Sequence, residues 1–102
     1  MAFASARSRR DDREFAASPA ISPSDLVALA ARGDRSTKAV IAARADCPLA
    51  TMITFALEHD AAVHAALLAN PAVPETVLAH LAQSRHGKVR AGARARLGSA
   101  AA

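Results

Sequence analysis

Pro74-Glu75-Thr76-Val77-Leu78-Ala79-His80-Leu81-Ala82 is the stretch on which the fold turns. Val77, Leu78, Leu81 and Ala82 recur at helical spacing, so they form one apolar stripe on a short helix that opens with a proline suited to a first turn. Twenty-six residues earlier, Leu78-x-x-Leu81-Ala82 becomes Met52-x-x-Phe55-Ala56, and another 26 earlier it is Leu26-x-x-Leu29-Ala30. A unit this short cannot bury its own stripe and must lean on neighbours of the same kind.

The match extends on either side of the anchor without a gap. The same step carries Thr37 to Val63 to Val89, Lys38 to His64 to Arg90, Ile41 to Leu67 to Ala93, and Arg44 to Asn70 to Arg96. Alanine columns match by chance in so alanine-rich a chain; the large apolar and basic columns carry the argument. Pro48 and Pro74 fall on the Ser22 column, where Ser22 or Ser24 can accept from the free amides of a helix start. A polar turn follows each first helix, at Arg32 to Ser36, Glu58 to Asp60 and Gln83 to Gly87. Gly33 and Gly87 suit the left-handed conformation that ends many helices. A second helix is expected to start near Thr37, Ala62 and Lys88, and in the last copy Val89, Ala93 and Leu97 share a face while Arg90 and Arg94 lie side by side on another. The expected architecture is an all-α repeat of three 26-residue units, about 22–47, 48–73 and 74–99, within a domain spanning 22–102. Residues 1–21 lack a sustained period and are expected to form a flexible Arg/Ala/Ser-rich arm with a transient helix from Asp11 to Ala17. If that arm folds over the first unit, Phe15 is its expected anchor.

The segment from Val63 to Ala82, with its Leu67-Leu68-Ala69-Asn70-Pro71 step and its Pro74 and Leu78-x-x-Leu81-Ala82 continuation, resembles the leucine-rich repeat variant family. Short HEAT-like helical repeats give nearly the same pattern. The resemblance implies a right-handed superhelix in which α helices alternate with 3-10 or short α helices, with no strands. The unit here is longer than that family's usual one, and the Asn-Pro step survives only at Asn70-Pro71, being Arg44-Ala45 and Arg96-Leu97 elsewhere. An iron–sulfur module described in that family has no counterpart in this chain.

With 102 residues the chain has material for one domain at most. Its hydrophobic fraction of 52% is largely alanine, and Phe3, Phe15 and Phe55 are the whole aromatic content, so close helix packing through small side chains is expected. The lone Cys47 excludes a disulfide framework and a cysteine-built metal site, and it aligns with Val73 as a small packing residue. No apolar run is long enough for a bilayer, and no secretory leader is evident. Arg7, Arg9, Arg10 and Arg13 hint at a transit peptide, but Asp11, Asp12 and Glu14 argue against one. The expected setting is the cytoplasm.

No catalytic spacing is present, neither a phosphate-cradling glycine loop nor a metalloprotease or nucleophile-elbow signature. No enzyme activity and no cofactor are expected. His59, His64 and Asp60 could meet across a turn as a metal cluster, though solvated turn residues explain them more simply. Charge is distributed unevenly: residues 48–73 carry a net −2 and residues 74–102 a net +4, equal to the +4 of the whole chain. Stacked units would align Lys38, His64 and Arg90 as a ladder on one face, extended by Arg94 and Arg96. Such a ladder can meet an acidic protein surface or neutralise phosphates; it can also be plain solvated surface that complements the end of the last helix. The turn at His86-Gly87 before Lys88 to Arg96 has a helix-turn-helix outline, without the polar side chains that read base edges or the aromatics that stack on single strands. The expectation is therefore a noncatalytic helical-repeat interaction module with a protein partner. The alternative is a small DNA-backbone binder using the third unit and the arm. Uncapped array ends would favour homo-oligomers.

Overall fold

Ser22 Oγ accepts the Asp25 amide at 3.1 Å, and Pro23 occupies the first turn, which together open the helix from Pro23 to Arg32. The other helices open differently. The computed structural model describes residues 6–101, with side chains from residue 10 to residue 99. Its helices are α1 (Ala6–Ala17), α2 (Pro23–Arg32), α3 (Arg35–Ala42), α4 (Leu49–Leu57), α5 (Ala61–Ala69), α6 (Glu75–Leu81) and α7 (Gly87–Ala101). Among the described residues there is no strand.

The even-numbered helices start at residues 23, 49 and 75, and α3, α5 and α7 at 35, 61 and 87. Pro48 and Pro74 stand at the N-caps of α4 and α6 without a capping side chain. For the second helices the cap is acidic: Asp34 accepts from the Thr37 amide at 2.9 Å and Asp60 from the Val63 amide at 3.1 Å. His86 takes that place before α7. Of the 3-10 or short α helices that the resemblance implied, α3 and α5 are short α-helices, each opened by its aspartate cap.

Gly33 corrects the reading of its turn. It has φ −68° and ψ 155°, an extended conformation open to any residue. Glycine is needed there for space, since a Cβ would lie 2.6 Å from the Leu29 carbonyl oxygen and 2.8 Å from Thr37 Cγ2. Gly87 is the first residue of α7 and ends nothing.

Packing forms two rows. The first is α1 on α3, α3 on α5 and α5 on α7; the second consists of α2, α4 and α6, each against the helix that follows it. Within the second row α4 packs on α6, whereas α2 and α4 touch only loosely. The core fills columns at the sequence interval: Leu26, Met52 and Leu78; Leu29, Phe55 and Leu81; Ile41, Leu67 and Ala93; Ile21, Cys47 and Val73, all buried. Burial drives the Cys47 thiol up to about 11, so at neutral pH it is a protonated packing residue. The whole measures 50 × 26 × 17 Å.

The segment expected as a flexible arm contains α1, which packs on α3. Its buried contact is Ala16, fully enclosed, while Phe15 remains 42% exposed. A small side chain lets the two helix backbones approach, which a phenylalanine would prevent. Residues 1–5 of that arm, Phe3 among them, lie outside the described residues, as does Ala102.

Candidate functional site

Arg44, Asn70 and Arg96 do the same work at 26-residue spacing. Arg44 Nη1 donates to the carbonyls of Ala16 and Ser18 at 2.8 and 2.9 Å. Asn70 Nδ2 donates to those of Ala42 and Arg44 at 2.9 and 2.7 Å, and Arg96 Nη1 to those of Leu68 and Asn70. In each case the acceptors lie at the end of the preceding helix of the first row, where helical partners run out; the Ser18, Arg44 and Asn70 carbonyls also accept the Ile21, Cys47 and Val73 amides. The side chains tie one helix pair to the last. Arg96, expected on a partner-binding ladder, is thus turned inward onto backbone.

The Lys38, His64 and Arg90 column also bridges between neighbours. Lys38 Nζ lies 3.3 Å from Glu58 Oε2. One interval on, His64 Nδ1 lies 3.3 Å from Ser84 Oγ, and one interval back, Asp12 pairs with Arg32 at 3.5 Å. Residues 32, 58 and 84 are themselves spaced by the same interval, so one pair of positions holds successively an acid with a base, a base with an acid, and a histidine with a hydroxyl. His64 is buried, with Nε2 at 3.1 Å from the Phe55 carbonyl, so Nε2 carries the proton and Nδ1 accepts from the Ser84 hydroxyl. Arg90 donates to the Ser84 carbonyl at 2.9 Å. Arg94 is exposed on α7. The five expected contact residues therefore do not form one open basic face: Lys38 and Arg90 are partly covered and partnered, His64 is internal, Arg96 clamps a helix end, and Arg94 alone stands freely exposed.

What the second row leaves open are two grooves. One, of about 300 Å³, lies between α2 and α4 and is walled by Val27, Ala30, Ala31, Ala50, Thr54 and Phe55, with the Lys38–Glu58 pair at its edge. The other, of about 340 Å³, lies between α4 and α6 and is lined by Leu57, His59, His64, His80, Gln83, Ser84 and Arg85. Their linings lie 26 residues apart in sequence, for Ala31, Lys38, Thr54 and Glu58 of the first become Leu57, His64, His80 and Ser84 of the second. Their chemistry differs: the first is apolar, and the second is basic and aromatic-nitrogen-rich with no acid in its wall. Val27 and Leu57, on their lips, are 51% and 59% exposed.

Sequence reading missed the first groove because much of its wall is the small side chains of Ala30, Ala31 and Ala50, which carry no chemistry of their own to mark a site.

Among the described residues, no group of three or more His, Cys, Asp or Glu side chains is placed to hold a metal ion. Asp60, considered beside His59 and His64, is instead engaged as a helix cap and by Arg35 Nε at 2.7 Å. Burial pushes its carboxyl up, but the Val63 amide and Arg35 outweigh that and hold it below the usual carboxylate range. Among the described residues, no helix is long and apolar enough to cross a membrane. Set against family models, curated proteins and solved structures, the chain finds no match.

Proposed function

We infer that the chain is a noncatalytic helical-repeat module that binds another protein, a second copy of itself included. In this reading α2 with α3, α4 with α5, and α6 with α7 are three 26-residue units of a right-handed superhelix of the leucine-rich repeat variant or HEAT-like kind. The α1 helix supplies a leading half unit. The equivalent clamps of Arg44, Asn70 and Arg96 favour this architecture, since a repeat predicts the same bond at the same interval. The observation that carries the binding role is the pair of grooves one unit apart, with exposed Val27 and Leu57 beside them. Rigid stacked helices present such a surface already ordered, which lowers the entropic cost of association. A cytoplasmic setting is proposed on the single cysteine, which has no disulfide partner in the chain.

The competing reading is a DNA-backbone binder using α7 and α1. It is disfavoured by the engagement of Arg44, Arg90 and Arg96 with the protein's own carbonyls, which leaves fewer guanidinium groups for phosphates. Fluorescence anisotropy of a labelled random-sequence duplex with the full chain at low salt separates the two. Negligible binding is expected. Tight binding that weakens steeply with added salt would replace the protein-binding reading with the DNA one.

A further inference from the structure

The two grooves define a specific kind of occupant, and this inference rests on the interaction-module reading above. The α2/α4 groove is closed by small side chains and the Phe55 ring, and it has room for one apolar side chain of moderate size. Its one ionic feature, Lys38 with Glu58, is self-neutralised at the edge. The α4/α6 groove offers His59, His80 and Arg85, all exposed, and its lining contains no carboxylate. The nearest acids on these helices are Glu58, held by Lys38, and Glu75 in the first turn of α6. An occupant that brings its own carboxylate therefore meets uncompensated donors there, whereas a cation meets none of opposite sign.

Geometry sets the separation. Neighbouring packed helices stand about 10 Å apart, and chain in the polyproline II form advances about 3.1 Å per residue and brings every third side chain back to the same face, so consecutive grooves are reached by side chains roughly three positions apart. We propose that the α2–α4–α6 face binds an extended acidic peptide segment, seating an apolar side chain between α2 and α4 and a carboxylate against His59, His80 and Arg85. The exposed Val27 and Leu57 flank the path and cover the aliphatic parts of the segment. The basic end of α7 lies on the other row and takes no part.

Two capped, otherwise serine-rich peptides test this: one with a leucine and, three positions on, a glutamate; the other with lysine in place of the glutamate. Each is titrated into the full-length chain and followed by amide chemical shifts. The expected result is weak, saturable binding of the glutamate peptide, with shifts confined to Ala30, Ala31 and Thr54 and to His80 and Arg85, and at least about tenfold weaker binding of the lysine peptide. Arg85→Glu, at an exposed position, should reverse that preference, and Ala31→Phe, also exposed, should abolish both interactions while leaving the circular dichroism spectrum unchanged. Equal affinity for the two peptides, or shifts clustered on α7, would overturn the assignment. A random peptide library panned on the full-length chain separates this failure from a wider one. Binders mapping to another face would sink the groove proposal and keep the interaction module, whereas a library with no binders would sink both.

Discussion

At the scale of single residues, the chain shows how different letters can fill one structural role. Thr37, Val63 and Val89 occupy one buried column, yet Thr37 Oγ1 is enclosed without a hydrogen-bond partner. A buried hydroxyl in that state costs more than the methyl of the same shape. Thr37→Val should raise stability by about 1 kcal/mol in a denaturant titration; a loss would show that the hydroxyl is satisfied in solution. Arg44 and Asn70 make the converse point. The sequence marks Arg44 and Arg96 as departures from an Asn-Pro step, because a guanidinium and a carboxamide look unrelated as letters. Both end in an N–H group that can reach two carbonyls, and the structure uses that shared feature alone. Arg44→Ala takes this donor from the Ala16 carbonyl and leaves that of Ser18 with the Ile21 amide alone, and should cost about 1–3 kcal/mol. Arg44→Asn should recover most of the loss by restoring the donor, and equal losses in the two variants would mean that the guanidinium acts through its bidentate pair with Asp46, at 2.7 and 2.9 Å, instead of through the carbonyls.

At the scale of the helix, caps and turns decide where each element starts, and they differ in how plainly the sequence announces them. Asp34 and Asp60 were placed in polar turns, and the structure makes them the caps that start α3 and α5. The apolar stripes of α2, α4 and α6 were legible from periodicity, since Leu, Met, Phe and Ala at helical spacing leave little choice. The α1 helix is legible in the sequence only as a transient helix from Asp11 to Ala17. Its own sequence has no strong apolar stripe, and what orders it is outside it: the Arg44 clamp on its end and the close seat of Ala16 on α3. Tertiary contacts of this kind override local propensity. The Asp60 cap makes a pH dependence testable. Its folded carboxyl titrates below the value of about 3.9 expected in the unfolded chain, so its stabilising effect is present above that value and is lost as pH falls through the lower folded value. Asp60→Asn keeps a cap but removes the charge and the Arg35 pair. It should be less stable than the parent at neutral pH, with the gap narrowing to nothing as pH falls below about 4. A gap that persists into strong acid would assign the effect to side-chain packing.

At the scale of the whole molecule, the interval of 26 governs helix starts, buried columns, the carbonyl clamps and the bridges from residues 12, 38 and 64 to 32, 58 and 84. What varies from one interval to the next is the charge on those bridges and the chemistry of the groove walls, so equivalent positions line an apolar groove and then a basic one. This is why the sequence disclosed the framework more readily than the surface. Framework positions are large and apolar and repeat, while groove walls are small or polar and differ from copy to copy. A framework held together by nearest-neighbour contacts should also accept a further unit. Inserting a second copy of residues 48–73 after Val73 supplies a new Asn70 equivalent facing the original Leu68 and Asn70 carbonyls. It also places a new Glu58 equivalent opposite His64, and a new His64 equivalent opposite Ser84. The lengthened chain should keep its helical content per residue and unfold in one transition. Its denaturant dependence should rise by about a quarter, in proportion to the surface added. Were the insert instead to loop out, the denaturant dependence would stay at the parent value and the added segment would be cut first by protease. The 26-residue interval would then describe the sequence without describing how the molecule is held together.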